Sequence, residues 1–119
     1  MVKTPIYFDH AATTPVDKRV IEKMIPYFTE TFGNANSQHM FGRDAIKAVD
    51  EARDSIAKLI GAKSNEVYFT SGGTEADNWA LRGIASARQE KGKHIIINPL
   101  EHAAMLTTAK DLAKQGFDI

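Results

Sequence analysis

Phe69-Thr70-Ser71-Gly72-Gly73-Thr74-Glu75-Ala76-Asp77-Asn78 closes a short apolar run and opens a helical pattern through two adjacent glycines. A strand-to-helix turn of this composition makes a phosphate cradle. Glycine lets the backbone approach an anion with no Cβ in the way. The first helical turn then aims unpaired N–H groups, and the positive end of the helix dipole, at the same spot. Gly72, Gly73 and Thr74 are therefore candidate anion-binding residues, with Thr74 adding a hydroxyl. The turn is not a dinucleotide fingerprint. Gly72-Gly73 lacks the G-x-G-x-x-G spacing, and Asn98-Pro99 stand where an acidic residue would close the next strand. It is not a Walker loop either, since no G-K-[ST] follows. The pattern suits a bound phosphorylated cofactor and not a nucleoside triphosphate being cleaved. Taken alone, it also fits a glycine-rich turn that binds nothing.

Downstream and upstream of this turn the pattern alternates. Residues 66–70 read as a strand and 74–90 as a helix stopped by Gly92. Residues 94–98 read as a second strand stopped by Pro99, and 102–115 as a helix stopped by Gly116. Phe117-Asp118-Ile119 begin a third strand. Strand–helix alternation predicts an α/β fold with parallel strands. Glu101-His102 then falls just past the carboxyl end of a strand, the edge where ligands bind in such sheets. The glycine turn occupies the same edge. The flat imidazole of His102 suits stacking on a planar ring and can carry a proton near neutral pH, which makes it the candidate catalytic residue. The plainer alternative is a histidine that starts a helix. Trp79 and Leu81, on the helix after the glycine turn, are expected in the core. Lys91-Gly92-Lys93 reads as a solvated helix terminus.

Toward the N-terminus, Ile6-Tyr7-Phe8 is a short extended segment followed by the small, polar loop Asp9-His10-Ala11-Ala12-Thr13-Thr14. Thr14 is a good N-cap, Pro15 suits a first helical position, and Asp17 would sit in the first turn. That helix is expected to reach about Thr31, with Val20, Ile21, Met24 and Phe28 inward and Pro26 kinking or restarting it. Gly33 ends it. Residues 33–39 are rich in turn formers, and Asn34-Ala35-Asn36-Ser37 has the composition of any loop. A long helix follows over 40–60. Ala45, Ala48, Val49, Ala52, Ile56, Leu59 and Ile60 recur on it at spacings of three and four, and Gly61 stands at its C-terminal end. So many inward alanines predict close approach to a partner.

Composition narrows the function classes. The chain has 119 residues, 43% of them hydrophobic and 25% charged, with 15 basic and 15 acidic side chains. A formal charge of zero offers no basic footprint for nucleic acid and little self-repulsion against association. There is no cysteine, hence no disulfide and no thiolate nucleophile on this chain. Asp9-His10, His39 and His102 match no metal-ligand spacing, so no metal is expected. Met1-Val2-Lys3-Thr4-Pro5 precedes no long apolar run, so neither a signal peptide nor a membrane span is expected. A cytoplasmic location is the default. No internal repeat is evident.

Four blocks together resemble the cysteine desulfurases, within the class V aminotransferase group. Tyr7-Phe8-Asp9-His10-Ala11-Ala12-Thr13-Thr14-Pro15 resembles their opening. Phe32-Gly33-Asn34 with Ser37, His39 and Gly42-Arg43 resembles the next block, the glycine turn their cofactor phosphate loop, and Glu101-His102 the pair bearing a ring-stacking histidine. The blocks stand in the right order and cover nearly the whole chain. The resemblance implies pyridoxal 5′-phosphate on a fold-type I scaffold, whose ring acts as an electron sink while sulfur is taken from L-cysteine and L-alanine is left. It implies that Gly72, Gly73 and Thr74 hold the phosphate and that His102 stacks on the pyridine ring. His10 and Ala11 would line the substrate side. It divides the chain into an N-terminal active-site segment, 1–14, and the N-terminal portion of the large domain, 15–119, an incomplete, mainly parallel sheet with flanking helices.

The sequence departs from the family pattern at His10, often asparagine there, and at Ala35 and Asn36. The family's Schiff-base lysine, pyridine-nitrogen aspartate, carboxylate-binding arginine and persulfide cysteine have no match. The chain is thus expected to be a truncated piece of such an enzyme, inactive alone, with unpaired strand edges that favour self-association. The alternatives are a non-catalytic α/β module that binds a phosphorylated ligand, or one that pairs with a full-length desulfurase.

Overall fold

The computed structural model describes residues 5–119. The first four residues lie outside that range, and with them part of the 1–14 segment and of the stretch read for a signal. The chain forms two compact units, residues 1–67 and 68–119.

In the first unit, α1 spans Lys18–Thr29 and α2 spans Met40–Ile60. The first helix starts later than Thr14-Pro15 suggest. Asp17 is its N-cap, because its carboxylate accepts the Arg19 N–H at 2.8 Å and also pairs with the Arg19 guanidinium. A carboxylate that finds both partners outcompetes the threonine hydroxyl upstream. The helix runs through Pro26 without restarting, and Glu30 and Thr31 both donate to the Pro26 carbonyl at its end. Val20, Ile21, Met24 and Phe28 are exposed, not inward, and α1 packs on no other helix of its unit.

The second helix has the bounds its periodicity predicts. Gly61 ends it in the left-handed region at φ 69°, which costs glycine no Cβ clash. Gly42, Ala45 and Ala57 are buried, but Ile56, Leu59 and Ile60 are exposed. A 3-10 turn over Ser64–Glu66 packs back on α2. The Ser64 hydroxyl donates to Asp54, Lys63 N–H donates to Glu66 at 2.8 Å, and Arg53 Nε donates to the Val67 carbonyl at 3.2 Å.

The loop over residues 33–37 is more than generic. A Cβ on Gly42 would stand 2.1 Å from the Ser37 carbonyl oxygen, and one on Gly33 would stand 2.1 Å from that of Phe41. Both glycines are there because backbone presses on backbone. Phe32 stacks on Phe41 at 6.1 Å beside them.

In the second unit, α3 spans Gly73–Arg88 and α4 spans Ala103–Lys114, packed against each other. The segments expected as strands are extended, and among the described residues they form no strand longer than a single bridge. Glu66 belongs to the 3-10 turn, and residues 67–70 pair with no strand among the described residues. Residues 94–98 form one parallel bridge, His94 with Asp118, where Ile95 N–H donates to Asp118 O and Asp118 N–H donates to Lys93 O, both at 2.8 Å. A strand needs a neighbouring strand along its length on which to place its amides, and a single bridge does not supply one. Trp79 is half-exposed, its ring edge-on to Tyr68 at 5.5 Å, not in a core.

The buried apolar set among the described residues is Ala45, Ala57, Ala85, Ala104, Ala109 and Leu112. Ile6, Phe8, Leu59, Ile96 and Leu100 are each more than three-quarters exposed. Accessible surface totals 10253 Å². Two separate compact units of half the 13.1 kDa mass would expose only roughly 7,700 Å² between them. The helix faces and extended edges are therefore uncovered within each unit, whatever the arrangement of the two. No helix among the described residues is long and apolar enough to cross a membrane.

Candidate functional site

The glycine turn of the second unit is held by its own polar groups. Ser71 donates to Glu75 Oε2 twice, from its N–H at 2.6 Å and from its hydroxyl at 2.7 Å. These bonds, the hydroxyl one first, pull the Glu75 carboxyl below its ordinary value. Thr70 Oγ1 donates to the Gly72 carbonyl at 3.1 Å, and Ala76 N–H makes the first helical bond to that same oxygen at 3.2 Å. The N–H groups of Gly73, Thr74 and Glu75 precede that bond and are left as the unpaired donors of a helix start.

The space in front of those donors is open. A Cβ on Gly72 or Gly73 meets nothing within 4 Å. Gly72 has an extended backbone at φ 163°, which any residue adopts. Neither packing nor conformation within the chain demands glycine here, whereas an anion drawn up to the backbone would. Thr74 is exposed and adds its hydroxyl to the same edge. The donor set thus fits a phosphate group: backbone amides, a hydroxyl, a helix dipole and room.

His102 is the N-cap of α4. Its Nδ1 accepts the Ala104 N–H at 3.2 Å, so the plain expectation of a helix-starting histidine holds. The bond also has a chemical consequence. Nδ1 contributes a lone pair, so the neutral ring carries its hydrogen on Nε2. Nε2 bonds to no described residue, and the ring is exposed. The preceding turn is fixed by Asn98, whose side chain accepts Leu100 N–H at 2.9 Å and whose carbonyl accepts Glu101 N–H at 3.1 Å.

The two helix starts lie at the same end of the unit. Thr108 Oγ1 donates to Asn78 Oδ1 at 2.7 Å, and Arg82 Nη1 pairs with Asp111 Oδ2 at 2.7 Å. Numbers rise together along both helices, so α3 and α4 run parallel. Gly73 precedes Asn78 by five residues and Ala103 precedes Thr108 by five, which puts the two starts level. Packed helices stand about 8–10 Å apart. The glycine turn and the start of α4 that bears His102 are therefore neighbours, with the positive ends of both helices at the same edge.

His10 and Ala11 belong to the first unit. They sit in a tight turn in which Ala12 and Thr13 donate to the Asp9 carbonyl at 3.1 and 3.4 Å. The Tyr7 hydroxyl straps the turn by donating to Asp9 O at 2.7 Å and to Thr13 O at 3.2 Å, and the His10 ring meets Tyr7 edge-on at 5.1 Å. Both residues are exposed.

Two contributors escaped the sequence reading. Glu75, which clamps Ser71, carries the signal of a carboxylate one turn after a serine at a helix start. Asn78, one turn after Thr74, carries only helical spacing, and its bond to Thr108 spans 30 residues.

The family model described as aminotransferase class-V matches residues 6–119. The chain is 57% identical over 119 residues to the cysteine desulfurase IscS of Neisseria meningitidis serogroup C (strain 053442), covering 99% of this chain and 30% of that protein. It is 57% identical over 114 residues to the putative cysteine desulfurase IscS 1 of Bacillus subtilis (strain 168), covering 96% and 30%. Among solved structures, a NifS-like protein aligns over 97% of this chain and 32% of its own length, with TM-score 0.92 and 42% identity. A structure titled SspA in complex with cysteine aligns over 94% and 32%, with TM-score 0.87 and 40% identity. The chain spans about 30% of the length of the curated relatives it matches.

Proposed function

The chain belongs to the class V aminotransferase family, and on that ground we propose that it carries the cofactor-holding part of a pyridoxal 5′-phosphate-dependent cysteine desulfurase. Such an enzyme takes sulfur from L-cysteine and leaves L-alanine. The observation that supports this most is the pair of level, parallel helix starts, one with an open glycine turn and the other with an imidazole anchored through Nδ1.

Gly72, Gly73 and Thr74 hold the phosphate with the free amides of the first turn of α3 and the Thr74 hydroxyl. Glu75 holds Ser71 through two bonds and so fixes the shape of the turn. His102 covers the pyridine ring and holds or moves a proton at Nε2. When bound, the cofactor supplies an electron sink. His10 and Ala11 serve the substrate side.

We infer a mainly parallel sheet for the whole enzyme, in which residues 67–70 and 94–98 become strands once neighbours pair with them. The uncovered apolar faces favour self-association, with a homodimer the expected form. An amino acid is the substrate, nucleic acid is not a partner, and the location is cytoplasmic. The chain has no cysteine to carry sulfur, so alone it is expected to turn over none.

The test uses pyridoxine 5′-phosphate, which lacks the aldehyde and so forms no imine with lysines. We expect saturable binding to the chain, followed by ligand fluorescence, that inorganic phosphate competes away. Gly73→Asp folds, because its Cβ has open space, but repels the anion and abolishes both. His102→Asn keeps a helix cap and inorganic phosphate binding while weakening the ring-bearing ligand. Wild-type binding that phosphate leaves untouched would overturn the proposal.

A further inference from the structure

We infer that Asn78 is a positioning residue that keeps the phosphate turn and His102 in register, acting through Thr108. This deepens the cofactor reading proposed for that site and rests on it.

Asn78 links both halves of the site with one amide. Its Nδ2 donates to the Thr74 carbonyl at 2.9 Å, and its Oδ1 accepts from Thr108 Oγ1 at 2.7 Å and from Arg82 Nε at 3.2 Å. Chemistry fixes the amide's orientation. A carbonyl only accepts and a guanidinium only donates, so the NH2 faces Thr74 and the oxygen faces Arg82. Thr108 must then be the donor to that oxygen. Its side chain is 2% exposed, so no water replaces Asn78 as its partner.

Each end of this link acts on a rigid unit. The Thr74 carbonyl shares a planar peptide with the Glu75 N–H, one of the free amides at the helix start. Holding that carbonyl holds the direction in which the amide points. At the other end, Thr108 is fixed to α4, and the His102 ring is fixed to the start of α4 through the Ala104 N–H. The bond between Asn78 and Thr108 therefore sets how far α4 sits along α3. A slip of one residue would move the imidazole by about 1.5 Å relative to the phosphate donors, and errors of about 1 Å at such sites are costly. Arg82 and Asp111, one turn on, support the same register but touch neither half of the site.

The test compares Thr108→Val, which keeps the shape and loses the hydroxyl, with Thr108→Ser, which keeps the hydroxyl. Both are made in the 119-residue chain. Thr108→Val is expected to move the Thr74 and Glu75 amide resonances and the His102 ring resonances together, and Thr108→Ser to return them. Thr108→Val is also expected to weaken pyridoxine 5′-phosphate about tenfold and inorganic phosphate several-fold less, because phosphate feels only the shift of the amide whereas the larger ligand also feels the register of the imidazole. Resonance changes confined to the surroundings of residue 108, or equal weakening of both ligands, would overturn the inference. If Thr108→Val does not fold, Asn78→Asp decides: it keeps the acceptor for Thr108 and loses the donor to Thr74, and unchanged Thr74 and Glu75 amides would count against the link. Wild-type chain that binds neither ligand would sink the cofactor reading alone, and the resonances would still decide the register.

Discussion

Arg82 Nη1 lies 2.7 Å from Asp111 Oδ2, and this ion pair ties α3 to α4 one turn beyond the bond between Asn78 and Thr108. The Arg82 hydrogen bond is the main reason the Asp111 carboxyl sits below its ordinary value, with smaller help from the charges of Arg82 and Lys114 and from Gln115. A carboxyl whose folded value is depressed stabilises the fold above its unfolded value, and that contribution is lost as pH falls through the folded value. The α3–α4 contact is therefore expected to hold steady from about pH 5 to 8 and to loosen below about pH 4, the ordinary aspartate range. Carboxyl carbon titration of Asp111 by NMR, read alongside the Arg82 side chain, checks this. In Asp111→Asn the acid loosening should flatten. Both partners are partly exposed, so the effect is modest.

Glycine substitutions should split by sign. Gly42→Ala places a methyl 2.1 Å from the Ser37 carbonyl oxygen and 2.8 Å from that of Asn34, both backbone atoms with little room to yield. We expect a loss of about 1–3 kcal/mol in urea unfolding of the first unit. Gly83→Ala, inside α3, meets only the Trp79 ring at 3.9 Å, an ordinary contact. It should gain about 0.5–1 kcal/mol. Equal effects at the two sites would contradict this account.

Leu59 is 84% exposed and Ile96 is 86% exposed, one in each unit. Exposed apolar faces of this kind drive association. Gel filtration with light scattering should report a species larger than 13.1 kDa at micromolar concentration. Leu59→Glu with Ile96→Lys should shift it toward the monomer. A compact, stable wild-type monomer would contradict this.

How much of this was legible in the sequence follows from how local each signal is. The bounds of α2 and its Gly61 cap were readable because periodicity and a left-handed glycine act within a few residues. The starts of α3 and α4 were readable to within a residue for the same reason. The start of α1 was misread because Thr14-Pro15 is a good local signal that loses to Asp17, whose carboxylate finds both the N–H and the guanidinium of Arg19. The strands were legible as extended segments with edges in want of partners, but not as a sheet, because pairing is not local; among the described residues one bridge forms, His94 with Asp118. The places of Gly72, Gly73, Thr74 and His102 at two helix starts were legible by composition and order. Asn78 was not, since its role depends on Thr108 arriving beside it from another helix.

The small buried set, five alanines and one leucine, bears on how the chain melts. Heat capacity on unfolding grows with the greasy area newly wetted, and more of that area is wet already here than in compact units of this size. The thermal curve should be broader and less curved than that of a compact domain of this length. A covering layer would supply sharpness as much as strength: without one the helices come apart gradually, and with one they would melt together.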